Sequence, residues 1–226
     1  MANQLDLEEQ EQLDQLKHFW NQWGNLITGL LIVVLGAVAA WNGYHYWQRG
    51  QAARSAAMFD EMNKAVAAGD MAMAQRTFSD MKERYATATY TQQAALAFAR
   101  QASDKGDIDV AKAALQWVVD KSKDEGYASI ARLRLANIYF DGKDYSQAQA
   151  LLDGVKDDAF AALVADRKGD IFLAQNNLTQ AKAAYAQAYQ KLEERAQYRR
   201  VVQVKLNALG VDPQAPGAPK VAEGTK

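Results

Sequence analysis

Hydrophobic and polar positions divide the chain into three regimes. From His18 to Gln48 no Asp, Glu, Lys or Arg occurs, and Leu26 to Trp41 within this window reads LITGLLIVVLGAVAAW. Sixteen such residues rise only about 24 Å as a helix, so crossing a hydrocarbon core of about 30 Å draws in the flanks, roughly Trp23 to Tyr44. Those flanks are aromatic, with Phe19, Trp20 and Trp23 at one end and Trp41, Tyr44, Tyr46 and Trp47 at the other. Amphipathic rings prefer the headgroup region, so the pattern predicts a single transmembrane helix over 23–47. A cleaved signal peptide competes with this reading, because Ala37, Val38 and Ala39 form a small-x-small triplet. Against it, the preceding residues carry five acids (Asp6, Glu8, Glu9, Glu11, Asp14) and only Lys17 as a base, whereas a signal n-region is basic.

From about Gln51 to Leu209 the pattern changes to an alanine-rich helical period broken by short polar turns. An Ala recurs with a large residue four positions later: Ala74 and Phe78, Ala111 and Leu115, Ala148 and Leu152, Ala181 and Tyr185, at spacings of 37, 37 and 33 residues. Five or six residues before each Ala lies a turn, at Gly69-Asp70, Gly106-Asp107, Gly142-Lys143 and Asn176-Asn177. Gly and Asn tolerate the positive φ that ends a helix. Twelve residues before the Ala, the last three units carry a small residue, Ala99, Ala136 or Gly169, and in two of them an aromatic follows, Tyr139 or Phe172. Two antiparallel helices approach closely only where small residues sit at their crossing and bulky ones fill the neighbouring holes. The device looks like the tetratricopeptide repeat, a helix pair of about 34 residues. Units 128–156 and 161–189 match best. The unit at 92–122 has Ala102 in place of the aromatic. The one at 55–85 has Met62 where a small residue belongs, and reads as degenerate or as a continuation of the membrane helix. A last helix, Lys191 to Leu209, with Val201, Val202, Leu206 and Leu209 near one face, reads as a C-terminal cap.

The predicted fold is therefore all-α, a single N-terminal transmembrane helix followed by a tetratricopeptide-like helical solenoid. Its segments are a short acidic lead over 1–22, the span over 23–47, the helical domain over 48–210 and a Pro-rich tail over 211–226, DPQAPGAPKVAEGTK from Asp212, that has no periodic apolar face and reads as disordered. All three prolines fall in this tail, which leaves the body free of the strongest helix breaker.

Charge and chemistry narrow the function. Lys and Arg number 26 against 27 Asp and Glu, so no broad basic field exists to attract nucleic acid. With no Cys, disulfides, thiolate metal sites and cysteine nucleophiles are excluded. The two histidines, His18 and His45, stand at opposite ends of the predicted span and cannot share a metal. The acidic loop 104–109 lacks the ligand spacing of an EF-hand, and a solvated turn with a helix-capping Asp explains it. No phosphate loop or nucleophile elbow occurs, so the reading is of a non-enzyme with no cofactor, no metal and no small-molecule substrate. Binding surfaces remain. Gly29, Gly36 and Gly43 recur every seven residues, and with Ala40 form a small-residue face on which another membrane helix could dock, although such helices are also simply rich in Gly. In the repeats, the inner helix of each pair would line a groove with Gln93, Arg100, Ser103, Asn137, Phe140, Asp166 and Asp170, residues that an ordinary solvated face explains individually. Lys17 on one side of the span and Arg49 and Arg54 on the other leave its orientation open, and weakly favour keeping the large domain inside.

The acidic lead, the span ending in Trp41-Asn42-Gly43-Tyr44-His45-Tyr46-Trp47, the following Ala53-Arg54-Ser55-Ala56 and the run Ala161 to Gly169, AALVADRKG, together resemble the YfgM family, the bacterial ancillary subunit of the SecYEG translocon. The resemblance implies a single-pass inner-membrane protein with a cytoplasmic N-terminus and a periplasmic tetratricopeptide-like domain. It also implies partners: the lipid bilayer, the SecYEG translocon and a membrane-anchored periplasmic chaperone of the prolyl-isomerase type, beside which the protein assists exported chains. It supplies no catalytic residue, and the Pro-rich tail extends beyond the family pattern. A scaffold for envelope assembly or cell division is the alternative.

Overall fold

Four turns with one geometry build the helix pairs of the computed structural model, which describes residues 7–214, with side chains from residue 11 onward. In each turn one residue takes the left-handed conformation: Gly69 (φ 78°), Gly106 (85°), Lys143 (62°) and Asn176 (61°). Its own N–H bonds the carbonyl three residues back, of Val66, Ser103, Phe140 and Leu173 in turn. The next N–H reaches five residues back, from Asp70, Asp107, Asp144 and Asn177 to the carbonyls of Ala65, Ala102, Tyr139 and Phe172. This is the paired-bond helix stop that satisfies the last orphan carbonyls. The same residue opens the next helix: Asp70 accepts from the Met73 N–H (2.9 Å), Asp144 from Gln147 (3.1 Å) and Asn177 from Gln180 (3.3 Å). Asp107 holds the corresponding position but its side chain makes no capping bond, contrary to the capping role expected in the 104–109 loop.

Stop and start thus follow one another without a spacer, and the result is a series of helix pairs. The elements are α1 (Leu7–Ala67), α2 (Met71–Arg84), α3 (Thr89–Asp104), α4 (Ile108–Lys121), α5 (Glu125–Asp141), α6 (Tyr145–Asp153), α7 (Ala161–Ala174), α8 (Leu178–Lys191) and α9 (Gln197–Ala208), with one short 3-10 turn at Asp158–Phe160 before α7. No strand occurs among the described residues. Most of the tail expected to be disordered, 215–226, and the first acid of the lead, Asp6, lie outside the described residues.

The third turn departs from the sequence expectation by one position. Gly142 has an ordinary φ of −75°, and Lys143 takes the left-handed conformation. Its alignment with Gly69, Gly106 and Asn176 at 37, 37 and 33 residues shows that the Gly is one residue out of place. A Cβ in this region costs about 1–2 kcal/mol, offset in part by the chain entropy that a Gly loses on folding. Lys143→Gly is accordingly expected to stabilise the protein by roughly 0.5–1 kcal/mol. Urea unfolding checks this, and a variant no more stable than the parent refutes it.

The chain forms two compact units, divided after Ala53. In the first, the helix carries its apolar side chains outward. Leu30, Ile32, Val33 and Leu35 are all more than three-fifths exposed, as are Trp41 and Tyr46 beyond them. Among the described residues one helix is long and apolar enough to cross a membrane.

In the second unit the repeating Ala and its bulky partner face inward together. Ala74, Ala111, Ala148 and Ala181 are fully buried, and Phe78, Leu115, Leu152 and Tyr185 nearly so. Phe78 packs 5.2 Å from the Phe98 ring and edge-on 6.1 Å from Trp117, which ties α2 to α3 and α4. Opposite the Ala column stand Met62, Ala99, Ala136 and Gly169, all buried. The last turns of α1 therefore serve as the first helix of the first pair, with flexible Met62 filling the place of the small residue. Neighbouring pairs are joined by polar contacts as well: the Gln93 amide donates to the Tyr127 hydroxyl (2.8 Å), Arg134 to the Leu96 carbonyl (3.0 Å), and Lys168 pairs with Asp153 (2.5 Å).

The cap is shorter than the pattern suggests. α8 runs on to Lys191, Leu192 is extended, and α9 begins only at Gln197. The break folds α9 back so that Val202 and Leu206 pack fully buried with Ala181, Tyr185 and Ala188. Val201, expected on the apolar face, is 45% exposed.

Candidate partner-binding surfaces

The two surfaces expected to bind partners lie in different units, and the structure treats them differently. On the membrane helix, a Cβ built at Gly29, Gly36 or Gly43 meets nothing within 4 Å, and Ala40 is exposed. This face is open, unlike that of Gly24, where a Cβ would press to 3.1 Å on the Trp20 ring. Removing side chains along an open stripe lets a second backbone approach, which favours packing and weak Cα–H hydrogen bonds in lipid.

Of the seven groove residues, three converge. Asn137 and Phe140 of α5 and Asp170 of α7 line one shallow recess with Ala136, Leu152, Arg167 and Ile171, with room for about one water at 20 Å³. The Phe140 ring is half-buried and lies 5.7 Å from Tyr145, and Arg167 donates to Asp170 at 3.1 Å. An aromatic floor beside a guanidinium–carboxylate pair offers a bound segment a flat apolar contact and a polar group at its edge, not a pocket that takes in a side chain. Gln93, Arg100 and Ser103 lie apart from this recess on α3. Gln93 is committed to Tyr127, Arg100 is exposed 3.8 Å from Asp104 of its own helix, and Ser103 is half-buried.

Asp166 does not belong to any open groove. It is fully buried, and its carboxylate accepts from the Tyr198 hydroxyl (2.7 Å) and from Lys205 (2.8 and 3.0 Å), both on α9. Asp170 shares Lys205 (2.7 Å) and accepts from the Tyr185 hydroxyl (2.7 Å). Because α9 takes the place that the first helix of a further pair would occupy, the inner residues of the last pair are enclosed by it. Two carboxylates, one ammonium, one guanidinium and two phenols form a connected network, and its polar atoms hold α7, α8 and α9 together. Tyr198, Lys205 and Arg167 are the parts that the sequence pattern missed, and of these Arg167 alone carried a local signal. Its signal was its place beside Asp166 and three residues before Asp170.

The phenols report on this enclosure. Burial, and then the O–H donated to Asp170, hold the Tyr185 phenol well above its ordinary range of 10; burial and the bond to Asp166 do the same for Tyr198. A pKa raised in the fold means a proton kept that the unfolded chain releases. The stability these groups contribute is whole below pH 10 and falls as pH rises beyond it, by about 1.4 kcal/mol per pH unit for each phenol. Tyr198→Phe removes one titrating group, so between pH 10 and 11, where the unfolded phenol is only partly ionised, its urea stability should decline by about 1 kcal/mol less than that of the parent. Parallel slopes would contradict the assignment.

Comparison with known proteins places this architecture. A family model described as a tetratricopeptide repeat-like domain matches residues 17–211, taking in the apolar helix and all the helix pairs. The chain is similar over 90% of its length to curated proteins named "Ancillary SecYEG translocon subunit": 30% identical to that of Neisseria gonorrhoeae over 98% of the relative, 31% to that of Haemophilus influenzae over 98%, and 29% to that of Escherichia coli over 97%.

Proposed function

The chain belongs to the tetratricopeptide repeat-like family of ancillary SecYEG translocon subunits, and from that premise we propose that it is a non-enzymatic, membrane-anchored adaptor of the translocon. The single observation carrying this reading is the extent of the similarity, which runs through the apolar helix as well as the repeats and covers nearly the whole of each relative. An adaptor needs both parts, one to hold it laterally beside a membrane complex and one to meet other proteins. In the finer form of the proposal the N-terminus is cytoplasmic, the helical domain faces the periplasm of a bacterial inner membrane, and the recess around Phe140 meets a membrane-anchored prolyl-isomerase-type chaperone or emerging exported chains. The stripe of Gly29, Gly36, Ala40 and Gly43 is the docking face within the bilayer. Support for that stripe is its openness, since side chains at the three glycines would meet nothing of this chain.

Photo-crosslinkers at Gly36 and Phe140 test the proposal in intact cells. Capture of a SecYEG component from Gly36, and of translocon or chaperone from Phe140, is the expected result. Lipid alone at both positions would reject it. Moving 54–226 onto an unrelated membrane anchor should abolish translocon association, and undiminished association would favour the alternative of an envelope scaffold for which the helix is only a tether.

A further inference from the structure

A second cavity lies apart from the recess around Phe140. It encloses about 780 Å³ where α8, the 192–196 connection and α9 meet the returning segment that follows Gly210. Gly210 (φ 75°) ends α9 with the same paired bonds as the inter-helix turns, the Val211 N–H reaching the Leu206 carbonyl (3.0 Å), and this brings Pro213 and Gln214 back alongside the helix as one wall. The opposite wall is cationic. Arg195, Arg199 and Arg200 line the cavity, with Glu194 as the one carboxylate among its described lining residues. Arg199 is held in place, its guanidinium stacked 4.1 Å above the Tyr189 ring and donating to the Leu192 carbonyl at 3.2 Å. Arg195 and Arg200 are exposed and have neither an ion pair nor a hydrogen bond among the described residues. The rest of the lining is rich in primary amides, from Gln197, Gln203 and Gln214.

The geometry points to a binding site for an acidic peptide segment, separate from the repeat groove. Guanidinium forks match carboxylates bidentately, and a fork already fixed by stacking loses little freedom when it binds. Two further guanidiniums without partners among the described residues leave an excess of positive charge that a ligand carrying several carboxylates would neutralise. Amide side chains both donate and accept, which suits the N–H and C=O groups of an extended backbone and not a bare anion. The concave shape, walled on two sides, suits a chain and not a flat headgroup layer.

The test uses the full chain in non-ionic detergent at low salt and fluorescein-labelled hexaglutamate, read by anisotropy. Hexaglutamate should bind at least tenfold more tightly than hexaglutamine. Arg195→Gln and Arg200→Gln should each weaken it roughly five- to tenfold, while melting temperature is unchanged because neither side chain bonds another described residue. Lys121→Gln, on α4 and outside the cavity lining, should have no effect. Equal affinity for hexaglutamine, an equal loss in the Lys121 variant, displacement by inorganic phosphate at matched charge, or binding only in the presence of phosphatidylglycerol vesicles would each overturn the proposal.

Discussion

Gly169→Ala is expected to lower the stability of the repeat domain by about 2 kcal/mol or more, although alanine is the better helix former. A Cβ built at this position lies 2.5 Å from both Cδ1 and Cε1 of Tyr185 and 3.0 Å from Cγ, so the whole ring would have to move. It has nowhere to go. Tyr185 is fully buried in the cluster formed with Ala181, Val202 and Leu206, and its hydroxyl is tied to Asp170 of the same helix as Gly169. Inserting one methyl into a packed core costs about 1–3 kcal/mol, and more where the neighbour cannot relax. The propensity gain of about 1 kcal/mol for replacing a mid-helix Gly offsets only part of that. In a domain of this size the net loss corresponds to roughly 4–8 °C in melting temperature. Truncating the ring in a Tyr185→Leu background should remove most of the penalty of Gly169→Ala, which a double-mutant cycle measures. If Gly169→Ala melts at or above the parent temperature, the close crossing of α7 and α8 described here is wrong.

The same column shows why so much of the fold was legible. A tetratricopeptide-like pair is held by contacts within about 34 residues, so its small and large positions recur at fixed offsets. Ala74, Ala111, Ala148 and Ala181 could be aligned without knowing any tertiary contact. Gly169 joined Ala99 and Ala136 on spacing alone. The membrane helix was legible for a different reason: lipid asks for uninterrupted apolarity, and no other part of the chain satisfies it.

What was misread depends on finer or longer-range physics. The turn expected at Gly142-Lys143 is where the structure has it, but the usual preference of Gly for the left-handed conformation points to Gly142, whereas the register of the paired bonds, set by Phe140 and Tyr139, gives that conformation to Lys143. The start of α9 was missed because Glu193, Glu194 and Arg195 are good helix formers, and burial of Val202 and Leu206 overrides their propensity. Asp166 was assigned to an open groove because repeat register describes a typical internal pair. In the last pair, the neighbour is the capping helix, and its Lys205 and Tyr198 lie 39 and 32 residues away. No local spacing encodes that pairing. The arginines of the C-terminal cavity were visible as residues, but the wall that turns them into a cavity depends on the reversal at Gly210.

Lys205→Met is expected to have the larger effect, a loss of about 3–5 kcal/mol at neutral pH. Among the described residues the ammonium alone bonds both carboxylates, buried Asp166 through two contacts at 2.8 and 3.0 Å and partly buried Asp170 through one at 2.7 Å. Asp170 keeps Arg167 and the Tyr185 hydroxyl when Lys205 is removed. Among the described residues Asp166 then keeps only the Tyr198 hydroxyl, and at 0% exposure it cannot turn to water. A buried ion pair adds little net stability while intact, because desolvation nearly cancels the attraction, but removing one partner leaves the other charge uncompensated. That asymmetry makes a specific prediction. Asp166→Asn should cost less than Lys205→Met, since Lys205 is 25% exposed and retains Asp170, and the double variant should be more stable than Lys205→Met alone. Chemical unfolding of the full chain in detergent at neutral pH measures all three. If Lys205→Met costs under about 1 kcal/mol, as an exposed pair would, the network does not hold the cap. If the double variant is the least stable of the three, the network holds by the direct contribution of its bonds and not by the penalty of an orphaned charge.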